Sequence, residues 1–168
     1  MPKLKTDKFF TPLGIKAGRF YDYLNELVDK EHSWEKHFGF DAIPIDGRWI
    51  QADKALRSVN ELQPIRALGA LRVPPNSFYN FHKDAYRLST INMLIRQEEG
   101  HCYFIEPRNE HYSDLIELEY QPRTYYLFNN QAIHGVINKS KPRYMLSLYF
   151  ANETRYTDLQ TKLISLKA

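Results

Sequence analysis

From Ile65 onward the sequence is a series of short apolar and aromatic segments separated by turn-forming residues, and this pattern constrains the fold more than any other feature. Most separators contain Pro, Gly or Asn, the residues that favour turns. Eight short segments at this spacing predict a closed antiparallel barrel or jelly roll. The candidate strands are Ile65–Val73, Tyr79–Asp84, Ser89–Gln97, His101–Ile105, Asp114–Leu118, Tyr125–Phe128, Ile133–Asn138 and Arg143–Phe150.

Helical periodicity is found on either side of this region. Between Lys16 and Lys36, apolar residues recur at the spacing of one helix face, namely at Phe20, Tyr23, Leu24, Leu27 and Val28. A second helix is predicted near Ala52 to Leu62, ending before Pro64, and a third over about Thr157 to Leu166. We therefore expect a mainly β protein: a double-stranded β-helix, or cupin-like jelly-roll barrel, with N-terminal helices and a C-terminal helix packed outside it.

The chain contains 168 residues, with no internal repeat and no linker composition. This length suits one hydrophobic core of ordinary size. We expect a single domain over 1–168, with a mainly helical part at 1–64, the jelly-roll core at 65–150 and the closing helix at 151–168.

Composition excludes several classes of function. The 23 basic and 20 acidic residues are interspersed and give a formal charge of +3, so nucleic-acid binding is not indicated. The lone Cys102 rules out an internal disulfide, and no apolar stretch is long enough to span a membrane. Met1–Lys5 is not followed by the apolar run of a signal peptide. These features predict a soluble, cytoplasmic protein, and they leave its oligomeric state open.

A candidate metal site is marked by His82 and Asp84. Alternate residues of a β-strand project to the same face, so an imidazole and a carboxylate at these positions flank one point in space. His134 lies about fifty residues later on another candidate strand, and a jelly roll brings distant strands side by side. Two histidines and one carboxylate form the ligand set of non-haem iron(II) oxygenases, which leaves coordination positions open for other ligands.

Arg143 is a second anchor, nine residues after His134. If 133–138 and 143–150 form a hairpin, Arg143 pairs near Ile137 and lies on the order of 10 Å from His134, at ~3.3 Å per residue. That separation suits a five-carbon diacid that chelates the metal at one end. The planar guanidinium matches the carboxylate at the other end with two hydrogen bonds.

In the order and spacing of these segments, the chain resembles the iron(II)/2-oxoglutarate-dependent dioxygenase superfamily, in particular its prolyl-hydroxylase and aspartyl/asparaginyl-hydroxylase branches. The resemblance covers about residues 66–150 and does not extend to the N-terminal helices. The segments that carry it are Phe81–Asp84, Arg87–Leu94, Gly100–Phe104, Phe128–Val136 and Arg143–Phe150.

The resemblance implies a role for several side chains. His82, Asp84 and His134 would bind iron(II), and Arg143 would bind the distal carboxylate of 2-oxoglutarate. The remaining candidates for the co-substrate pocket are Thr90, Asn92 and Leu94, which alternate on one strand, and Ser147, which shares the face of Arg143. Asn92 is the most suitable of these for a polar contact with co-substrate.

The implied activity consumes O₂ and 2-oxoglutarate, releases succinate and CO₂, and hydroxylates an unactivated C–H bond. The substrate would be a peptide side chain, an amino acid or another small metabolite. Two alternatives stay open from the residues alone. One is a metal-binding cupin of another reaction class, against which Arg143 argues because such chemistry needs no diacid clamp. The other is a non-enzymatic jelly-roll binding or structural module.

Overall fold

Two antiparallel sheets form the framework of the protein, in a computed structural model that describes residues 6–30, 33–96 and 101–167. The strands within these residues are β1 (Phe10–Lys16), β2 (Glu35–Lys36), β3 (Asp41–Ile45), β4 (Ile65–Val73), β5 (Phe78–His82), β6 (Ser89–Arg96), β7 (His101–Pro107), β8 (Ser113–Leu118), β9 (Thr124–Asn129), β10 (Ile133–Ile137) and β11 (Arg143–Phe150). The helices are α1 (Arg19–Val28), α2 (Trp49–Ala52), α3 (Lys54–Leu62) and α4 (Tyr156–Leu163), which continues as a 3-10 turn, Ile164–Lys167.

The strand order confirms the predicted double-stranded β-helix. One sheet has the order β1-β9-β6-β11-β4-β3-β2, and the other has the order β5-β10-β7-β8. Each of the eight predicted strands is present, with the ends shifted by at most two residues. Gln97, the last residue of one predicted strand, and Gly100 lie outside the described residues.

Apolar side chains form two separate cores, because the larger sheet is buried on both faces. On β11, Leu146 and Leu148 belong to the core that the helices cover. The alternate residues of that strand face the smaller sheet. The core between the sheets draws on both of them and contains Phe9, Val73, Cys102, Phe104, Ile116, Leu118, Tyr126, Phe128 and Val136.

The helices follow the predicted amphipathic pattern with altered ends. In α1 the buried residues are Phe20, Leu24 and Val28, and the helix ends eight residues before Lys36. The second predicted helix is divided at Asp53, whose carboxylate accepts a hydrogen bond from the backbone N–H of Leu56 at 3.1 Å and so caps α3. Within the described part of the chain, none of the helices combines the length and apolar composition needed to cross a lipid bilayer.

Strand β1 was not predicted. Its sequence contains Pro12 and Gly14, which weaken a strand because Pro lacks an N–H donor and Gly has no side chain to pack. The structure accommodates both residues because β1 is an edge strand, paired with β9 alone among the described strands. The larger sheet therefore extends into the N-terminal part of the chain.

The predicted hairpin between β10 and β11 is wrong. The two strands lie in different sheets, and Arg143 is paired with Val73 on β4, not with Ile137. The connection crosses from one sheet to the other and is held by the amide of Asn138. This amide donates to the backbone carbonyls of Val73 at 3.2 Å, Pro74 at 2.8 Å and Lys141 at 2.9 Å.

Gly135, in the middle of β10, allows β5 to approach closely. A Cβ atom at this position would lie 2.9 Å from the main-chain oxygen of Tyr79 and 3.0 Å from the ring of Phe81. We expect Gly135→Ala to lower the free energy of unfolding by about 1–3 kcal/mol, as overpacking does. Gly47→Ala is the control, since nothing lies within 4 Å of its Cβ position. Urea denaturation of both variants measures this, and equal stabilities would contradict the close approach.

Candidate functional site

Strands β5 and β10 bring the two predicted histidine ligands together. His82 is directly opposite His134 in the antiparallel register, and their ring centroids are 4.5 Å apart. Asp84, by contrast, does not lie on the strand as predicted, because β5 ends at His82. Its position is set by a hydrogen bond from its backbone N–H to the carbonyl oxygen of Asn130, at 3.0 Å.

The three side chains converge on one point. Oδ1 of Asp84 lies 3.3 Å from Nε2 of His82 and 3.5 Å from Nε2 of His134. All three ligand atoms lie within 4.8 Å of one another. Neighbouring ligand atoms around an octahedral ion with bonds of about 2.1 Å are separated by about 3.0 Å. The residues therefore fit a single divalent metal that they would bind on one face.

Backbone carbonyls select the tautomer of both imidazoles. Nδ1 of His82 donates to the carbonyl oxygen of Asn80 at 2.7 Å, and Nδ1 of His134 donates to that of Ala132 at 2.9 Å. A carbonyl oxygen only accepts, so Nδ1 carries the proton. In the neutral ring Nε2 then presents its lone pair, as a metal ligand requires.

The two oxygens of the Asp84 carboxylate have different partners. Oδ2 accepts hydrogen bonds from Nε of Arg87 at 2.8 Å and from Nδ2 of Asn130 at 2.9 Å, and Nη2 of Arg87 lies 2.7 Å away. Oδ1 faces the two imidazoles. The carboxylate thus offers one oxygen to a metal, while the other is held by the protein.

These contacts also determine the charge of Asp84. Burial alone raises the pKa of this carboxyl group, but its contact with His134 and the positive charge and hydrogen bond of Arg87 outweigh burial and lower the pKa to about 2. The side chain is therefore an anion at neutral pH, as a metal ligand must be.

A cavity between the sheets opens beside the triad. Some of the residues predicted for the co-substrate pocket line this cavity, and others do not. Asn92 and Ser147 line the cavity together with the triad. Thr90 does not, because its hydroxyl donates to the backbone carbonyl of Leu148. Leu94 lines a different depression, next to Tyr120. The remaining lining residues are Phe40, Leu71, Val73, Tyr79, Arg87, Cys102, Phe128, Asn130, Val136 and Met145.

Arg143 is fully buried, but it is not among the residues that line this cavity. Strand alternation places it on the same face of β11 as Met145 and Ser147, which both line the cavity. Its guanidinium lies over the ring of Tyr120, 5.3 Å from the centroid.

Burial raises the pKa of Cys102 to about 11 in spite of the opposing charge of Arg143, so this thiol stays protonated.

Several polar atoms in the cavity wall are buried and have no hydrogen-bond partner among the residues that the structure describes. They are Nη1 of Arg87, Oδ1 of Asn92 and Oδ1 of Asn130. Buried polar atoms are nearly always satisfied in folded proteins, so a group of exceptions around one cavity indicates a polar ligand.

Sequence reasoning did not identify the two residues that hold Asp84. Arg87 follows Asp84 by three positions, and Asn130 precedes His134 by four. The Arg87 spacing is a weak signal, since many arginines lie near a carboxylate in sequence. Asn130 falls between two predicted strands, and its contact with Asp84 joins residues 46 positions apart.

Comparison with solved structures identifies the fold. A prolyl-4-hydroxylase of Pseudomonas putida superposes with a TM-score of 0.59 at 13% identity, over 86% of this chain and 93% of that chain. A viral collagen prolyl hydroxylase of Paramecium bursaria Chlorella virus-1, solved with 2-oxoglutarate, gives 0.54 at 14% identity, over 84% and 94%.

HygX of Streptomyces hygroscopicus, solved with nickel, 2-oxoglutarate and hygromycin B, gives a TM-score of 0.51 at 12% identity, over 85% of this chain and 83% of that chain. No protein-family model matches the sequence, and no curated protein matches it. At these identities the likeness establishes the double-stranded β-helix fold.

The lowered pKa of Asp84 makes a testable contribution to stability. Because the value in the folded protein, about 2, lies below the ordinary 3.8, the unfolded chain binds the proton first as the pH falls. Asp84 then contributes about 2 kcal/mol above pH 4, and this contribution is lost between about pH 4 and pH 2. We expect the stability difference between the metal-free wild type and Asp84→Asn to shrink from pH 5 to pH 3 in urea denaturation. A constant difference would contradict the assignment.

Proposed function

We propose that this chain is an iron(II)- and 2-oxoglutarate-dependent oxygenase that hydroxylates an unactivated C–H bond. The observation that carries the proposal is the convergence of His82, Asp84 and His134 beside a cavity that also has unsatisfied polar atoms in its wall. The substrate class is a peptide side chain, an amino acid or another small metabolite. The structures that share the fold include hydroxylases and 2-oxoglutarate complexes, which supports this reaction class.

The ligand set suits iron(II). Two neutral imidazoles and one carboxylate bind borderline divalent metals and occupy one face of an octahedron, which leaves positions for other ligands. Iron(II) held by these residues would supply the activation of O₂, with one oxygen atom passing to the substrate and the other to the succinate formed with CO₂ from 2-oxoglutarate. The residues of the chain provide ligand geometry, binding and exclusion of water.

Arg143 is the proposed partner of the distal carboxylate of 2-oxoglutarate. Placing a guanidinium in a buried position is energetically costly, and an anion beside it offsets much of that cost. Asn92 and Ser147 are register partners on neighbouring strands and both line the cavity, so they are placed to hydrogen-bond the same ligand. The hydroxyl of Thr90 contacts that of Ser147, with the two oxygens 3.4 Å apart.

The apolar residues of the cavity have a separate role. Phe40, Tyr79, Phe128 and Val136 enclose the side of the cavity next to the histidines. Their surface excludes water from the reacting centre and accommodates the hydrocarbon part of a substrate. This environment suits hydroxylation of an unactivated C–H bond, because such a bond offers no polar group for the protein to bind.

We expect the metal-free protein to bind one divalent ion per chain through the triad. Isothermal titration with Mn²⁺, an inert substitute for iron(II), should show binding to the wild type and its near-complete loss in His82→Ala and His134→Ala. His111→Ala is a matched control, because this histidine is exposed in the β7–β8 loop. Unchanged Mn²⁺ affinity in both triad variants would exclude the site.

The role of Arg143 separates a 2-oxoglutarate oxygenase from a cupin of another reaction class. Hydrogen bonds between charged groups contribute roughly 1.5–3 kcal/mol each, so we expect Arg143→Ala to weaken 2-oxoglutarate binding at least about tenfold. Arg143→Lys should recover part of this affinity, since it keeps the charge but not the planar fork. Arg66→Ala, exposed on β4, is the control.

Binding of 2-oxoglutarate to the Mn²⁺-loaded variants measures this effect, while Mn²⁺ affinity itself should not change. Substrate-dependent release of succinate by the iron-loaded wild type, tested over a panel of peptides and metabolites, then identifies the reaction. Equal 2-oxoglutarate affinity in the wild type and both Arg143 variants would show that the co-substrate is not bound as proposed.

A further inference from the structure

We infer that Asn130 is a positioning residue for the metal site, which orients the Asp84 carboxylate so that a single oxygen faces the metal. The inference rests on the proposed function only in requiring that the triad binds a metal. It adds to the three ligands a residue that acts through the Asp84 carboxylate.

Asn130 holds Asp84 at two points. Its side-chain Nδ2 donates to Oδ2 of Asp84 at 2.9 Å, and its backbone carbonyl accepts the N–H of Asp84 at 3.0 Å. Asn130 is only 2% exposed, so water does not replace these bonds easily. One residue therefore determines both the path of the backbone at Asp84 and the rotation of its carboxylate.

This contact also links Asp84 to the segment that carries His134. Asn130 lies in the turn between β9 and β10, and the carbonyl of Ala132 in that turn accepts a hydrogen bond from Nδ1 of His134. The neighbouring Gln131 strengthens the link, because its Nε2 donates to the carbonyls of Asp84 at 3.0 Å and Arg87 at 2.8 Å. The turn thus connects two ligands that are 50 positions apart in sequence.

Asn130 and Arg87 have different effects on the same oxygen. Arg87 brings a positive charge to Oδ2, with Nε at 2.8 Å and Nη2 at 2.7 Å. The amide of Asn130 is neutral, so its contribution is mainly directional. The terminal torsion of an Asp side chain has a broad energy profile, and a second donor from another segment narrows its range. Without the Asn130 amide, Arg87 can keep its hydrogen bond to Oδ2 while the carboxylate plane rotates. Such a rotation moves Oδ1 away from the two imidazoles.

Two changes at Asn130 test the inference by Mn²⁺ titration. We expect Asn130→Ala to weaken Mn²⁺ binding about tenfold to a hundredfold, the usual effect of removing a partner of a metal ligand. Asn130→Ser, which is well tolerated in turns but too short to reach Oδ2, should have a similar effect and guards against misfolding of the alanine variant. Asn152→Ala, an exposed residue, is the matched control.

A double-mutant cycle with Asp84→Ala distinguishes positioning from general structural damage. If Asn130 acts through the carboxylate, Asn130→Ala has no further effect on Mn²⁺ affinity once Asp84 has been truncated. An equal loss in both backgrounds would overturn the inference, as would unchanged affinity in both Asn130 variants while the wild type binds Mn²⁺. Failure of the wild type to bind Mn²⁺ would overturn the proposed function as well.

Discussion

The antiparallel pairing of β5 with β10 is the constraint on which the site depends. It sets His82 opposite His134 with their ring centroids 4.5 Å apart, and this arrangement does not require a metal. Gly135 permits this pairing, because a side chain there would meet the backbone of Tyr79 and the ring of Phe81. A shift of one residue in register would turn one of the imidazoles to the opposite face of the sheet.

The carboxylate completes the site by a different principle. Asp84 lies beyond the end of its strand, where pleat geometry no longer orients a side chain. Its orientation comes from hydrogen bonds to Oδ2, which leave Oδ1 directed towards the histidines. Two rigid strand positions and one hydrogen-bonded loop position together form a face of three ligands. The same bonds hold the carboxylate ionised despite its burial.

The division of apolar residues into two cores explains how the protein keeps a polar cavity without losing stability. The core between the larger sheet and the helices contains the larger of the two clusters of buried apolar side chains, including Phe20, Leu56 and Leu146. It provides much of the burial that stabilises the fold. The core between the sheets can then accommodate buried polar groups such as Asn92, Ser147 and Arg143.

Much of this architecture could be predicted, because strand formation in a jelly roll follows local patterns of alternation and turn residues. All eight strands from Ile65 to Phe150 were found from the sequence. Strand β1 was not, since Pro12 and Gly14 oppose a strand locally and only its edge position makes them acceptable. The pairing of Arg143 with Ile137 was wrong because neighbours in sequence are not neighbours in a sheet when the chain crosses between sheets.

The sequence by itself therefore determined the fold class, the strand segments and the residue types of the candidate site, His82, Asp84, His134 and Arg143. Each of these depends on local spacing or side-chain chemistry. Only the tertiary structure decided which oxygen of Asp84 is available, that Asn130 and Arg87 hold the other, and that the Thr90 hydroxyl is bound to the backbone and does not line the cavity. These depend on hydrogen bonds between distant segments, whose partners no local pattern in the sequence specifies.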